Sequence, residues 1–495
     1  MAETQLQEQA AETRSAESAG GLLDSIIEES RAATNEAEKT RARDLIAELA
    51  GQVLDGSVVV SKDLAASLDA RVAQLDELIS AQLNEIMHQP AFQQLEASWR
   101  GLKYLVMESE TSTQLKIKVF NASKKDLLKD FRTAAEFDQS ALFKKVYEEE
   151  YGTFGGAPFA GLLGDYEFSR HPEDFTLLEE LSHVAAAAHA PFISAAAPTL
   201  FGLESHTDIG KPRDIAKIFD TVEYAKWKSF RDSDDARYVG LVLPHTLGRL
   251  PYGANTLPVD AFNFEEDVDG TDHGKYLWTN AAYAYGTLLT NAFAQYGWLA
   301  AIRGVEGGGL IEGLPVHTFA TDDGEIALKC PTEVAITDRT EKVLSDLGFL
   351  ALVHCKNTDY AAFFGGQSVQ KAKTYNTDAA NANARLSTQL PYIFAISRIA
   401  HYLKSIMRDK IGSFASRQNV QDYLNTWLAQ YVSLDDSAPQ EIKARLPLRE
   451  ARVDVAEVPG KPGVYTAVAF LRPHFQLDEL TISLRLVAEL PAPAR

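Results

Sequence analysis

Cysteine is nearly absent from this chain: two residues, Cys330 and Cys355, in 495. Both sit beside apolar runs (EIALKC and FLALVHC), which predicts two buried free thiols and a reducing compartment rather than a disulfide framework. Long apolar runs are missing as well. None approaches the roughly 20 residues needed to span a bilayer. The N-terminus, MAETQLQEQAAETRSAES, has neither the basic nor the apolar stretch of a secretory signal. Positive charge is scarce: 48 Lys and Arg stand against 69 Asp and Glu, for a formal charge of −21. The longest basic runs are the pairs Lys124-Lys125 and Lys144-Lys145. A nucleic-acid binder would need a basic stripe to displace counterions, so no nucleic-acid partner and no direct membrane insertion are expected.

Catalytic signatures are also wanting. Gly304-Val305-Glu306-Gly307-Gly308-Gly309 resembles a nucleotide loop, but the required glycine would fall at Glu312. GTDHGKY (270–276) is one residue short of a phosphate loop, and Tyr276 stands where a Ser or Thr would hold magnesium. Both read as turns. Asp267, Asp269 and Asp272 suggest a calcium loop, yet its twelfth position would be Trp278, which cannot ligate. His183 and His189 are six apart, off the spacing that puts two imidazoles on one helical face. No catalytic residue, metal ligand or cofactor is assigned, and a non-enzymatic role is expected.

What is present is alternation. Glu479 to Leu490 (ELTISLRLVAEL) places Leu480, Ile482, Leu484, Leu486, Ala488 and Leu490 on one side of a strand and Thr481, Ser483 and Arg485 on the other. An open edge with one apolar face invites another chain, so this strand is expected to be received by a neighbour. The first 50 residues carry few apolar side chains and are expected to be disordered. One island interrupts them, GGLLDSIIEES, with Leu22, Leu23, Ile26 and Ile27 on one helical face.

Between these ends helical and strand patterns mix. SVVV (57–60) suits a short strand. A long helix steps through Leu68, Val72, Leu75, Ile79, Leu83 and Ile86 until Pro90, and a second runs through QQLEASWRGLKYLVM. TQLKIKVFN (113–121) alternates as a strand. Short helices at 123–135 and 139–149, helix 172–189, strand 191–196, helix 212–220, strand 237–243 and helix 275–301 give the rhythm of a mixed α/β sheet. Residues 317–330 read as a hairpin turning at Asp322-Asp323-Gly324. A helix from Asp338, with Glu341 as a capping-box residue, ends before Gly348, and strand 348–354 follows. FFGGQSVQKAKTYNTDAANANARLS reads as a long polar connector. Helix 391–411 begins at Pro391 and offers Ile393, Ile396, Ala400, Leu403 and Met407 for burial. Beyond 440, REARVDVAEV and VYTAVAFLRP flank PGKPG as a hairpin.

Five blocks, in order, resemble the large subunit of the bacterial type VI secretion contractile sheath, the TssC/VipB family. They are WRGLKYLV (99–106), LGRLPYG (247–253), TEVAITDRTEKVLSDLGF (332–349), CKNTDYAAFFGGQSVQKAKTY (355–375) and ARLSTQLPYIFAISRIAHYLKSIMRDKIGSF (384–414). The likeness runs from about residue 57 to the end.

The resemblance implies a structural protein of the bacterial cytoplasm. Its partners would be a small sheath subunit (TssB/VipA), further copies of itself, the Hcp tube, the baseplate and the AAA+ unfoldase ClpV. It assigns Leu22, Leu23, Ile26 and Ile27 to the unfoldase groove. It assigns Leu480, Ile482, Leu484 and Leu486, with Val58, Val59 and Val60, to inter-subunit strands. The helix bearing Asp338, Arg339, Glu341, Lys342 and Asp346 is the candidate to face the tube. The expected division is a disordered segment 1–56 with a recognition helix at 20–31, body regions 57–250 and 251–439, and a β-rich linking segment 440–495. Two rivals remain: the sheath protein of a phage-tail-like particle, and a cytosolic α/β enzyme.

Overall fold

The computed structural model describes residues 36–54, 64–321, 323–411, 416–459 and 464–476. The island at Leu22–Ile27, the strand Val58–Val60 and the terminal strand Leu480–Leu490 lie outside the described residues. The described residues form two compact units. One comprises residues up to 86 with 252–266, the other 87–251 with 267 onwards.

In the first unit, α1 (Glu36–Leu54) and α2 (Leu64–Met87) are helical. That α1 is a helix corrects the expectation of disorder as far as residue 50. Its Ala, Glu, Arg and Leu content carries high intrinsic helix propensity, and Lys39 pairs with Glu36 at 3.3 Å. Little core is needed for that, and Leu45 stays exposed. The loop 252–266 is tied to α2 by Asn84 Nδ2 donating to Glu265 O at 3.1 Å.

The second unit opens with α3 (Pro90–Met107), and Pro90 starts this helix as well as ending the preceding one. Ser123 and Asp126 form a reciprocal capping box on α4 (Lys124–Thr133). Segment 113–121 forms no ladder with any described residue, although its alternation predicts a strand; Val119 and Phe120 are left exposed. A helical turn, Ala141–Phe143, runs into a wider π turn over Lys144–Tyr151.

Then come β1 (Leu162–Phe168), α5 (Pro172–Ala188), β2 (Phe192–Ala196), α6 (Ala225–Asp232) and β3 (Val239–Leu243). The helix expected over 212–220 is only a 3-10 turn at Ala216–Asp220, the true helix starting at Ala225. The strands β4 (Thr246–Leu247) and β5 (Trp278–Thr279) pair, and α7 (Ala281–Tyr296) follows, shorter than expected because β5 occupies its first turns. Next are β6 (Leu310–Ile311), the hairpin β7 (Thr318–Ala320) and β8 (Ile326–Leu328), α8 (Asp338–Asp346), β9 (Phe349–His354) and β10 (Ala361–Phe363).

The six-stranded sheet has the order β1-β2-β3-β9-β10-β6, with β1, β2, β3 and β9 parallel and β10 antiparallel to both its neighbours. The sequences FISAA and VGLVL are buried at every position, as strands covered on both faces must be. Phe168, Phe175, Trp227, Leu241 and Phe349 fill one face, with Trp227 stacked on Phe349. Ile193, Val242, Tyr285, Leu350 and Phe394 fill the other. Leu390 approaches so closely that a Cβ on Gly240 would lie 2.8 Å from its Cδ1.

Part of the expected polar connector is a helix, α9 (Asp378–Leu386), capped by the Thr377 side chain. Helix α10 (Leu390–Asp409) has Pro391 in its first turn. Its buried stripe is offset from expectation. Ile396 is exposed, while Phe394, Ile399 and His401 are buried. Two helices follow, α11 (Arg417–Ala429) and α12 (Gln440–Arg445), then the hairpin β11 (Leu448–Glu457) and β12 (Tyr465–Pro473). Ile399, Leu424, Leu428, Leu448, Val453 and Val455 form a smaller core that fastens the hairpin to α10 and α11. The mixed α/β class is as expected. The cysteines are not: Cys330 is only half-buried, because the run before it is itself exposed at Ile326 and Leu328, and Cys355 is exposed just past the buried part of β9.

Candidate assembly surfaces

Amphipathic helices bury their apolar face when a partner is at hand. On α2, Leu68, Val72, Leu75, Ile79 and Ile86 step along one stripe, and all are exposed, Val72 at 55%. On α3, Gly101 and Leu105 are buried; a Cβ on Gly101 would overlap the Tyr283 ring. Phe92, Leu95, Trp99 and Met107 stay exposed, Trp99 at 66%. The helix is anchored beneath by Glu96, which accepts from Arg249 Nε at 2.8 Å and Arg100 Nε at 2.6 Å. Burial pushes the Glu96 pKa up, but the two guanidinium groups outweigh it and hold the carboxyl below its ordinary range. Arg100 and Arg249 come from the first two family-like blocks, which are far apart in sequence. Scattered apolar surface residues are ordinary, whereas rows of large ones mark contact surfaces.

The hairpin β11–β12 is two-stranded among the described residues. Its two edges differ. Along β11, Asn425 Oδ1 accepts from Val453 N at 2.8 Å, Asn425 Nδ2 donates to Val453 O at 2.9 Å, and Gln421 Oε1 accepts from Val455 N at 3.1 Å. Side chains of α11 thus occupy the backbone groups that a further strand would need. Among the described residues no strand pairs with the outer edge of β12, and Val468 and Phe470 expose their side chains there. An edge of this kind is a template for strand addition.

Helix α8 carries the five charged residues expected to face a partner. Its cap is Thr337, which accepts from Thr340 N, so the expected capping box at Glu341 is not what starts it. Asp338, Arg339 and Asp346 are exposed, and Lys342 lies 3.8 Å from Asp346. Glu341 is half-buried, and desolvation pushes its pKa up. The other predicted contact residues, Leu22, Leu23, Ile26, Ile27, Val58, Val59, Val60, Leu480, Ile482, Leu484 and Leu486, lie outside the described residues.

The motifs set aside as turns have local partners. Gly304 and Gly308 take positive φ, and Asp269 Oδ1 accepts from Thr271 N and Oγ1. His183 Nδ1 lies 2.8 Å from Asp235. One cluster escaped sequence reasoning. His206, His245 and His273 gather around Glu333 at the carboxyl ends of β1, β2 and β3. They span 128 residues at no recognisable spacing, so no motif could have signalled them. Burial pushes the His245 pKa down, but its bonds to Glu167 and Glu333 reverse this and raise it to about 10.

Helix-flanked α/β layers, apolar helix faces left outward and a hairpin with one edge closed and, among the described residues, one open define a building block made to be joined to others. Comparison with known families says which. Residues 69–370 match the EvpB/VC_A0108 tail sheath N-terminal domain, and residues 379–490 match the EvpB/VC_A0108 tail sheath gpW/gp25-like domain. The chain belongs to this tail sheath family, whose members are structural proteins and not enzymes. It is 52% identical over 448 residues to the type VI secretion system sheath protein TssC1 of Pseudomonas aeruginosa, covering 90% of each chain. Among solved structures it resembles the anti-feeding prophage baseplate with a TM-score of 0.36 and 9% identity, over 63% of this chain and 66% of that one. A chain of the contracted anti-feeding prophage helical sheath gives 0.33 and 10% over the same shares. The chain thus spans just under two thirds of those structural relatives, a likeness too slight to carry further weight.

Proposed function

We propose that this chain is the large structural subunit of a type VI secretion contractile sheath. The observation that carries the reading is the 52% identity to a sheath protein of that system along nine-tenths of both chains. The subunit pairs with a small sheath subunit (TssB/VipA), polymerises with further copies around the Hcp tube on a baseplate in the bacterial cytoplasm, and contracts to drive the tube outward. The exposed apolar rows of α2 and α3 supply surface for the small subunit. The outer edge of β12 takes a strand from a neighbour, such as the one bearing Leu480, Ile482, Leu484 and Leu486, or the one at Val58–Val60. Ladder bonds between copies hold while rigid bodies rotate. No described helix is long and apolar enough to cross a membrane.

Three finer roles complete the proposal. Leu22, Leu23, Ile26 and Ile27 dock in the groove of the ClpV unfoldase, which dismantles contracted sheaths. The charges of α8 (exposed Asp338, Arg339 and Asp346, with half-buried Glu341 and Lys342) face the tube. Residues 440–495 link subunits, while 57–250 and 251–439 form the body. Electron microscopy of the chain co-expressed with its small partner tests the central claim. Long hollow tubules are expected; discrete small oligomers in every preparation would overturn it.

A further inference from the structure

In open α/β folds, ligand sites gather outside the carboxyl ends of parallel strands. At that edge of this sheet, Glu167 is the last residue but one of β1, Ala196 ends β2, and His245 follows β3 by two residues. His206 lies in the 3-10 turn His206–Asp208 beyond β2, and Glu333 is held beside β3 by its N–H donating to His245 O at 2.9 Å.

The outer ring nitrogens are already committed. His206 Nε2 lies 3.0 Å from Ala196 O, and a carbonyl can only accept, so that nitrogen carries a hydrogen. His245 Nε2 lies 2.7 Å from Glu167 Oε1, again an acceptor. In both rings the other nitrogen, Nδ1, points at one oxygen, Glu333 Oε2, which is 2.8 Å from His206 Nδ1 and also in contact with His245 Nδ1. The side chains of His206 and Glu333 are 1% and 7% exposed. A third imidazole adds an independent observation. His273 Nε2 is shielded from solvent, makes no hydrogen bond among the described residues, and lies 3.5 Å from Glu333 Oε1. Its ring is held by stacking on Trp278.

We propose that His206 Nδ1, His245 Nδ1 and Glu333 Oε2, joined by His273 Nε2 once that side chain turns in towards them, form a binding site for one divalent transition metal ion of the zinc class. Metal-bound histidines characteristically donate their second N–H to a backbone carbonyl or a carboxylate, which is what Ala196 and Glu167 accept here. Imidazole and carboxylate donors suit zinc, and four protein ligands close the coordination sphere, the pattern of a structural centre. The three inner donor atoms lie within 4.8 Å of one another. A tetrahedral ion with bonds of about 2.0–2.1 Å needs donors about 3.3 Å apart, so side-chain rotation that draws the Glu333 carboxylate back slightly admits the ion. On binding, the ion takes the place of any proton on either Nδ1, and such protons are released to solvent. The bound ion pins the carboxyl ends of β2 and β3 to the Thr332–Glu333 segment.

The test uses tag-free full-length chain purified with its small sheath partner, stripped by chelator and dialysed against zinc chloride. One zinc per chain is expected, and cobalt chloride should give the visible absorption of a tetrahedral site. His206→Ala should abolish both signals, and His183→Ala, which removes a half-buried imidazole outside the cluster, should keep them. Should His206→Ala fail to fold, His273→Ala, at a more exposed ring, decides: binding weakened about tenfold or more supports the site, and unchanged binding overturns it. No zinc on the unmodified chain, or zinc retained by folded His206→Ala, equally overturns it.

Discussion

Asn425 and Val453 exchange two hydrogen bonds: the amide Oδ1 accepts from Val453 N at 2.8 Å, and Nδ2 donates to Val453 O at 2.9 Å. A side chain of α11 here mimics a neighbouring strand. In an antiparallel pair, residues whose N–H and C=O turn outward face residues that do the same. Ala469, paired with Val453, therefore turns its own N–H and C=O towards the outer edge of β12. The same pair of positions that is closed on the β11 side is, among the described residues, open on the other.

Replacing Asn425 by Ala leaves both Val453 groups without partners beside a fully buried side chain. Each buried unsatisfied group costs about 1–3 kcal/mol. The expected outcome is a lower urea midpoint and a larger insoluble fraction, since a second edge is now open to strand addition. An unchanged midpoint in urea denaturation would show that the amide bonds carry no weight.

Ala469→Pro should separate folding from assembly. Proline removes an outward-facing donor and leaves the β11 ladder whole, and edge strands tolerate it. The isolated chain should keep its melting temperature within a few degrees, while tubule yield with the small partner drops severalfold. Tubules at normal yield would mean that the β12 edge is not the joining edge.

Leu23→Asp places a charge in the apolar stripe of the N-terminal island. Pull-down with the ClpV unfoldase should lose binding, while sheath tubules still form and contract. Normal recycling of contracted sheaths by this variant would remove the island from the unfoldase groove.

Much of the fold was legible because both-face burial writes itself plainly: FISAA and VGLVL are unbroken apolar runs, and both are central strands. Pro90, Pro391 and Gly348 likewise punctuated helices where expected. Failures share a cause, which is that pattern records propensity and not partners. TQLKIKVFN alternates but joins no ladder among the described residues. The Ala- and Asn-rich run at 378–386 looked like a connector, yet its Thr377 cap and alanines suffice for two turns of helix. Ile396 looked like core and is exposed, because the contacts of α10 with the sheet select Phe394 and its contacts with α11 and the hairpin select Ile399. The histidine cluster was illegible, since its members meet only once three strands are laid side by side.

Charge on α8 gives a salt-dependent prediction. Asp338 lies in the first turn, where it complements the helix dipole, so Asp338→Lys costs about 0.3–1 kcal/mol of helix stability. Its larger effect should be on assembly: fewer tubules at low ionic strength, with the deficit closing as salt screens the contact. A deficit equal at both ionic strengths would point to folding instead. Glu341 is the poorer choice for reversal, because it is half-buried.

His401 gives the fold a defined acid limit. Its Nε2 donates to Ala188 O at 2.8 Å, and its Nδ1 faces Arg398 Nη1 at 3.5 Å. Tyr151 and His189 close over the ring, and Lys404 adds positive charge. Burial is the largest cause lowering its pKa. The Ala188 bond opposes this, Arg398, His189 and Lys404 reinforce it, and the value settles at about 4. In the unfolded chain the imidazole returns to about 6.5. The unfolded state thus binds the proton first, and stability rises with pH between about 4 and 6.5. The neutral ring's contribution is complete above that window and is lost below it, with a ceiling on the order of 3 kcal/mol. In His401→Gln the amide can still donate to Ala188 O but does not titrate. Urea midpoints measured from pH 4.5 to 7.5 should therefore fall less steeply on acidification in the variant than in the parent chain, and equal slopes would show that the acid sensitivity lies elsewhere.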